Sequence, residues 1–391
     1  MPLRFNTCSK TYFGLFCRSK TILFFVFFYV LIWFIAPAQA QLNNQLFEDR
    51  FIVSPEQSQR FRFQFNSLSF LKNTEYFNPI VKGRTLFGNQ FNPKLLYQPS
   101  ANVRIEAGMY AWKDFGNTKF SDIAPTFTVK IKKDSLQFLF GTLEGNLNHR
   151  LIEPLYNFDR LITNRLENGV QLIYQKPRFY LDGWIDWQRM IYDQSPFQEK
   201  IFAGVNTHLQ MAQGVNWKLN TVFQATAVHQ GGQINTGGSP VSTSLNTALG
   251  LKVAWANPAA SFLKGISTEN YWTHLQTDNP ALVFKNGNGI YLNFTAHYKP
   301  FDLMLSYWNG TSYVSPLGGD LYQSLSRDVS TPTYTEAKRN LLIVRFLKNW
   351  EVLPNLWMGL RVEPHYDFKN AIFEHAEGLY LVYKGDWGLG K

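Results

Sequence analysis

The sequence predicts an all-β chain, an antiparallel up-and-down barrel of about sixteen strands that crosses a membrane. Three observations predict it. Apolar and polar residues alternate with a period of two in segment after segment, short turns alternate with long polar loops, and aromatic residues make up 16% of a chain whose mean hydropathy is slightly negative. A strand sends successive side chains to opposite faces, so period two over roughly 8–12 residues means one apolar and one polar face. A membrane barrel spends only every second strand residue on lipid, and is therefore rich in aromatics without being hydrophobic overall.

The first forty residues read as a signal peptide, residues 1–40. Four cations (Arg4, Lys10, Arg18, Lys20) precede the apolar run from Thr21 to Ala36, and no acid appears before Glu48. Small residues at Ala38 and Ala40 suit a signal peptidase, which predicts a cut before Gln41. Both cysteines, Cys8 and Cys17, leave with that segment, so the exported chain holds no disulfide, thiolate metal site or thiol nucleophile. The net charge of +10 falls to +6 once those four cations are removed. No block of like charge suggests a nucleic-acid partner.

After an N-terminal periplasmic segment, residues 41–59, the barrel is expected over 60–391. Phe61, Phe63 and Phe65 share one face, opposite Arg62 and Gln64. Val103, Ile105, Ala107 and Met109 oppose Arg104 and Glu106, and Phe127, Val129 and Ile131 oppose Thr128, Lys130 and Lys132. The same pattern recurs around residues 179–188, 290–298 and 356–365. Strands are predicted at 60–70, 86–98, 102–112, 122–132, 136–143, 167–175, 178–189, 200–211, 216–229, 243–255, 261–275, 288–298, 301–308, 337–348, 354–365 and 374–384. The second is the weakest, because Gly88 and Pro93 interrupt it. No convincing helix appears. Tight turns fall near Pro99, Asp134, Pro177, Gly214, Pro258, Pro300 and Pro354, with long loops between them, clearest at 144–166, 230–242, 277–288, 309–336 and 366–373. Alternating short and long connections make a hairpin repeat, with all short turns at one end. Trp and Tyr gather near strand ends, among them Trp112, Trp187, Trp217, Trp272, Trp308 and Trp357, where interfacial girdles lie.

Gly378, Leu381 and Tyr383 form a terminal strand pattern that resembles the one read by the barrel-assembly machinery of Gram-negative bacteria. Ala376 replaces the polar residue that pattern carries two before the glycine, and residues 384–391 run on beyond it. The chain resembles the superfamily of Gram-negative outer-membrane β-barrels, in the size range of sixteen-stranded porins. The resemblance implies an integral outer-membrane protein in contact with lipid, with short turns in the periplasm and long loops outside.

If the apolar faces meet lipid, the opposite faces line the lumen. The pore-lining candidates are Arg62, Arg104, Glu106, Lys130, Asp182, Asp186, Arg345, Arg361, Glu363 and His365. The loop 144–166 carries His149, Arg150, Glu153, Asp159, Arg160 and Arg165, which would set a constriction if it folds inward. Paired Arg and acid across such an eyelet would select solutes. The function this predicts is a porin-like channel for small hydrophilic solutes, with slight anion preference from the basic excess. A closed-lumen barrel for assembly, secretion or surface interaction is the alternative, and a secreted soluble glycan-binding β-protein is the third reading. A homo-oligomer is compatible with all three. No cofactor or metal is expected, and no enzyme: none of the histidines sits in a recognisable motif with a serine, and HExxH, GxSxG and P-loop patterns are missing from the sequence.

Overall fold

The computed structural model describes residues 44–50, 53–232, 234, 240–257 and 259–389. The predicted signal peptide and part of the loop 230–242 lie outside the described residues. The strands, in order, are β1 (Phe61–Glu75), β2 (Thr85–Ser100), β3 (Val103–Asp114), β4 (Asp122–Lys133), β5 (Leu136–Thr142), β6 (Asn168–Lys176), β7 (Phe179–Arg189), β8 (Lys200–Gln213), β9 (Trp217–Gln230), β10 (Ser242–Ala256), β11 (Leu263–Thr277), β12 (Asn286–Tyr298), β13 (Asp302–Thr311), β14 (Lys338–Leu353), β15 (Leu356–Val362, resumed as His365–Asp367) and β16 (Ile372–Leu389). Each pairs antiparallel with its neighbours in sequence, and β1 pairs with β16 from Phe61↔Leu389 to Glu75↔His375, which closes the sheet. The fold is a closed antiparallel barrel of sixteen strands among the described residues.

Proline explains the two irregular strands. Pro364 has no N–H and interrupts β15, yet Phe346↔Val362 and Ile343↔His365 keep one register across the gap, so the two pieces are one spanning strand. Pro93 pairs with Phe65 of β1 but drops out of the β2–β3 ladder between Phe91↔Ala111 and Lys94↔Gly108. The segment beyond Tyr383 continues β16 and pairs with the start of β1, so the run-on residues complete the wall. Helical turns are short: four 3-10 turns and one α-turn, α1 (Arg160–Thr163), none longer than four residues among those described.

The outer surface is apolar. Phe63, Phe91, Phe127, Phe140, Ile185, Leu249, Ile290 and Leu305 are exposed, while the residues between them are buried and often charged. This inside-out pattern fits a wall with lipid outside. Trp308 departs from the girdle expected for it: it is fully buried in the lumen, where it meets Tyr291, Tyr313 and Tyr322 edge-on.

A sixteen-strand barrel encloses more space than its own side chains fill. Here the chain fills it three times. The loop 143–167 folds inward and buries Leu155, Tyr156, Phe158, Leu161 and Ile162. The loop 312–337 packs on it through Tyr313, Val314, Leu317 and Tyr322. The N-terminal strap enters from the short-turn end, with Leu46 and Phe47 against Phe158 and Tyr380.

His149 pins the first of these loops to the wall. Its ring lies flat on Trp184, centroids 3.5 Å apart, and its two nitrogens meet Asp182 at 3.1 Å and Glu167 at 2.8 Å. Gly204 makes this stack fit: it pairs with Trp184, and a Cβ there would lie 2.3 Å from the indole ring. Burial alone would depress the imidazole, but Glu167 and Asp182 outweigh it and hold the group up at about 9. Burial pushes the Glu167 carboxyl up, but His149, Tyr156 and Arg160 together hold it below its usual range. A group raised in the folded state contributes stability that is complete below its ordinary value near 6.5 and is lost as pH rises through 9. Urea unfolding in detergent micelles should therefore show stability falling, by on the order of 3 kcal/mol at most, between about pH 7 and 10. His149→Gln should remove that slope; equal slopes in both proteins would refute the assignment.

Candidate functional site

The charged lumen is organised around single carboxylates shared by several cations. Glu106 takes Lys130 at 2.9 Å, Arg104 at 3.2 Å and Lys94 at 3.3 Å, and Lys130 also reaches Glu144 at 2.8 Å. These neighbours sit on adjacent strands: Arg104 pairs with Lys130 across β3 and β4. Asp182 accepts from Gln171 at 2.8 Å besides its contact with His149, and Asp186 accepts from the Asn168 backbone at 2.8 Å. His365 is bound to Glu374 at 2.9 Å. Arg62 meets Asp386 at 2.8 Å near the short-turn rim.

The inward loop meets the wall through a second network. Glu153 is held by Arg345 and, at 3.3 Å, by Arg361; Glu363 binds Arg361 at 2.5 Å and Arg345 at 3.5 Å. The Arg361 guanidinium also lies over the Phe158 ring, 3.8 Å from its centroid. Asp159 is gripped by Lys72 and by Arg84 at 3.1 Å, and these cations hold its carboxyl below the usual range although burial opposes them. Arg150 forks onto Glu48 of the strap at 2.9 and 2.7 Å, and Arg165 meets Asp49. Arg160 instead stacks over Tyr156 and Phe202. Glu153, Asp159, Arg150 and Arg165 of the predicted loop are thus gathered into ion pairs that fasten the loop to the wall and the strap.

The loop divides the lumen. Leu147, Arg150, Leu151 and Tyr156 line a cavity of about 500 Å³ at the short-turn half, whereas Glu153, Asn157, Phe158 and Asp159 line one of about 70 Å³ at the long-loop half. The larger cavity reaches the strap at Asn44 and Glu48 and the wall at His208, Lys218, Lys252, Ala254, Gly265 and His297.

His297 of that lining belongs to an arrangement that no motif announces. His297 Nε2 lies 3.1 Å from Ser267 Oγ, and His297 Nδ1 lies 2.7 Å from Asp302 Oδ1. Each part follows from register. The turn at Lys299–Phe301 is closed by Tyr298 N–H donating to the Phe301 carbonyl at 2.9 Å, which sets His297 opposite Asp302 across β12 and β13. Ser267 on β11 pairs with Thr295, two residues before His297 and on the same face. Gly265 stands opposite His297 with no side chain, so the imidazole has room to lean towards the serine. The β11–β12 register shifts between Leu263 and Gly265, an irregularity of the kind that re-aims side chains near sites. Ser267 is buried, flanked by two residues of the cavity lining, Ala254 and His297; the His297 and Asp302 side chains are 20% and 13% exposed. With the carboxylate on Nδ1, that nitrogen carries the proton and Nε2 is left to accept from the serine hydroxyl. Nucleophile, base and orienting acid are then in the order of a Ser-His-Asp relay. None of the three is among the candidate site residues read from the sequence.

In fold, the chain is similar to OprD of Pseudomonas aeruginosa, at TM-score 0.52 and 9% identity over 88% of this chain and 100% of that one. It is also similar to a loop-deleted OmpT of Vibrio cholerae, at TM-score 0.50 and 11% identity over 83% of this chain and 100% of that one. Both are outer-membrane proteins, and this chain shares their closed-barrel fold, with an apolar exterior suited to lipid. No curated protein matches it. Residues 53–391 match the family model described as Lipid A 3'-O-deacylase-type. That description is of an enzyme family, and it overturns the expectation that the chain is no enzyme, which rested on the lack of a linear catalytic motif. With the match covering residues 53–391, the chain belongs to the Lipid A 3'-O-deacylase-type family.

Proposed function

We propose that this barrel is an outer-membrane acyl-ester hydrolase with Ser267 as nucleophile, His297 as general base and acid, and Asp302 as the group that orients it. The observation that carries the reading is the Ser267–His297–Asp302 contact geometry, of which His297 lines a cavity of about 500 Å³. Ser267 Oγ attacks the ester carbonyl carbon while its proton passes to His297 Nε2. The tetrahedral oxyanion collapses, the C–O bond breaks, and the leaving alcohol takes the proton from His297. Water, deprotonated by the same nitrogen, then releases the acid from the acyl-serine. Asp302 keeps the Nδ1 proton in place and stabilises the imidazolium. The family description makes lipid A the first substrate to try, and the position of the site has the ester arrive at the periplasmic half of the barrel.

A second reading is passage of small hydrophilic solutes with slight anion preference. The inward loop and its paired Arg and acid favour it, since facing charges across a narrowing orient solutes.

Purified protein in detergent should release fatty acid from lipid A or from a p-nitrophenyl acyl ester, followed by mass spectrometry or absorbance. Ser267→Ala should lower kcat by about 10³-fold or more while the folded barrel survives, as heat-modifiable gel mobility checks. An equally active Ser267→Ala protein, or a wild type inert on both esters, would sink the hydrolase. For the second reading, insertion into a planar bilayer under a salt gradient should give discrete steps and an anion-side reversal potential; silent insertion of folded protein would remove it.

A further inference from the structure

We infer that the short-turn rim of the barrel over β4–β7 is a docking surface for an anionic glycerophospholipid, with Lys133, Lys176 and Arg178 on its head group and the outer wall below them under its acyl chains.

Charge at the short-turn end is uneven. The β2–β3, β8–β9, β10–β11 and β14–β15 turns, with the strand ends they join, carry no Lys, Arg, Asp or Glu. The β4–β5 and β6–β7 turns with their strand ends hold Lys133, Lys176 and Arg178 against Asp134 alone. These two turns are neighbours: Gln175 N–H donates to the Ser135 carbonyl at 2.9 Å, which ties the end of β6 to the β4–β5 turn. The three cations are exposed, and among the described residues none of their side chains makes a hydrogen bond or an ion pair.

Register puts Lys133 and Lys176 on the outer face. Lys133 pairs with Leu136, Leu136 with Tyr174, and Tyr174 with Leu181, in one row across β4 to β7. Lys176 stands two residues beyond Tyr174, pairs with Phe179, and holds its ammonium 5.6 Å from the centre of the Tyr174 ring. Tyr174 and Phe179 rings lie 6.0 Å apart. The next row away from the rim contains Ile131, Phe138 and Leu172, all exposed and apolar. Ammonium over aromatic ring over apolar wall matches the order of phosphate, glycerol ester and acyl chain in a phospholipid. The backbones of Lys133 and Lys176 lie about 10 Å apart across the strands and about 7 Å along them, a span that two long side chains can close around one phosphodiester. An acidic protein would meet the tips of the turns, whereas these lysines stand on the face that lipid covers.

The wall under the cations is also notched. Gly183 continues the row of Leu172, paired on its other side with Val205. A Cβ there would meet a single atom within 4 Å, Leu181 Cδ2 at 3.9 Å, so no crowding demands a glycine. The missing side chain leaves open space beside the exposed Leu172 and Ile185. Glycine inside a strand weakens it and marks places where another group comes close. Gly183 lies two residues, about 7 Å, below the row of Lys133 and Tyr174, within reach of an acyl chain whose phosphate is at the rim.

The test titrates delipidated full-length protein in non-ionic detergent with phosphatidylglycerol or phosphatidylcholine carrying the same acyl chains, and counts bound lipid by native mass spectrometry. The wild type should bind phosphatidylglycerol at least about fivefold more tightly, and salt should narrow the gap. Replacing Lys133, Lys176 and Arg178 together by Gln should bring phosphatidylglycerol down to the phosphatidylcholine level. Lys133→Arg with Lys176→Arg should keep the gap, and Lys299→Gln on the β12–β13 turn should leave it unchanged. Gly183→Leu fills the notch and should weaken both lipids while preserving their ratio; heat-modifiable gel mobility checks that each variant is a folded barrel. Equal binding of the two lipids, or a preference that survives the triple Gln substitution, overturns the site. Polyglutamate bound by the wild type and lost in the triple variant, with no preference between the lipids, would assign the cations to an acidic protein instead. A Gly183→Leu protein that binds both lipids as well as the wild type overturns the acyl notch and leaves the head-group contact standing.

Discussion

Closure of the sheet in lipid is the constraint from which the rest of this structure follows. A hydrocarbon solvent offers no partner for backbone N–H and C=O groups, so the first and last strands must find each other. They do so over fifteen residue pairs, from Phe61↔Leu389 to Glu75↔His375. Once closed, the wall has only one place for its charges. The outer face is taken by Phe, Leu and Ile, and every strand must send its Arg, Lys, Glu and Asp inward. Sixteen strands make that interior wide, and the chain resolves the excess by folding two loops and a strap into it. Burying so many ions is costly unless each is paired, which is why Glu106, Glu153 and Asp159 each collect more than one cation.

The ion pairs therefore set positions more than they add stability. A buried pair seldom outperforms a well-packed apolar substitute, but it fixes which groups can lie beside which. Glu153 against Arg345 and Arg361 decides where the inward loop crosses the lumen, and Arg150 against Glu48 ties the strap to the same loop. The consequence is the partition: a small chamber on the long-loop side and a larger one on the short-turn side, with His297 in the lining of the larger. A channel and a hydrolytic chamber use the same construction, and the difference between them lies in whether the loop leaves a way through.

What the sequence revealed and what it hid divide along the range of the interactions. Strand alternation is a property of neighbouring residues, and tight turns are made of two to six residues, so all sixteen spanning strands were legible within a few positions of their ends. Pro93 looked like a break because a local reading removes a hydrogen bond without seeing that the ladder on the other side persists. Trp308 read as a girdle residue because it stands near a strand end; only the inward packing of loop 312–337 shows that its neighbours are Tyr313 and Tyr322. The loop 144–166 was legible as a cluster of opposite charges, but its partners on β1, β14 and β15 lie tens to hundreds of residues away.

The relay shows where that limit falls. His297 and Asp302 are symmetric about the Lys299–Pro300 turn, so a reading that placed the turn could also have paired them across it. Ser267 could not be added that way. Its approach to His297 depends on the β11–β12 register and on the irregularity between Leu263 and Gly265, and a shift of one residue would turn the hydroxyl out to lipid. Linear motifs mark catalytic groups when one loop or one helix supplies them. In a barrel the wall supplies them, one per strand, at spacings fixed by the lengths of the intervening loops. Those lengths are free to change without moving the wall, so the neighbours of Ser267 are set by cross-strand pairing, with Ala254 on one side and Thr295 on the other, rather than along the chain.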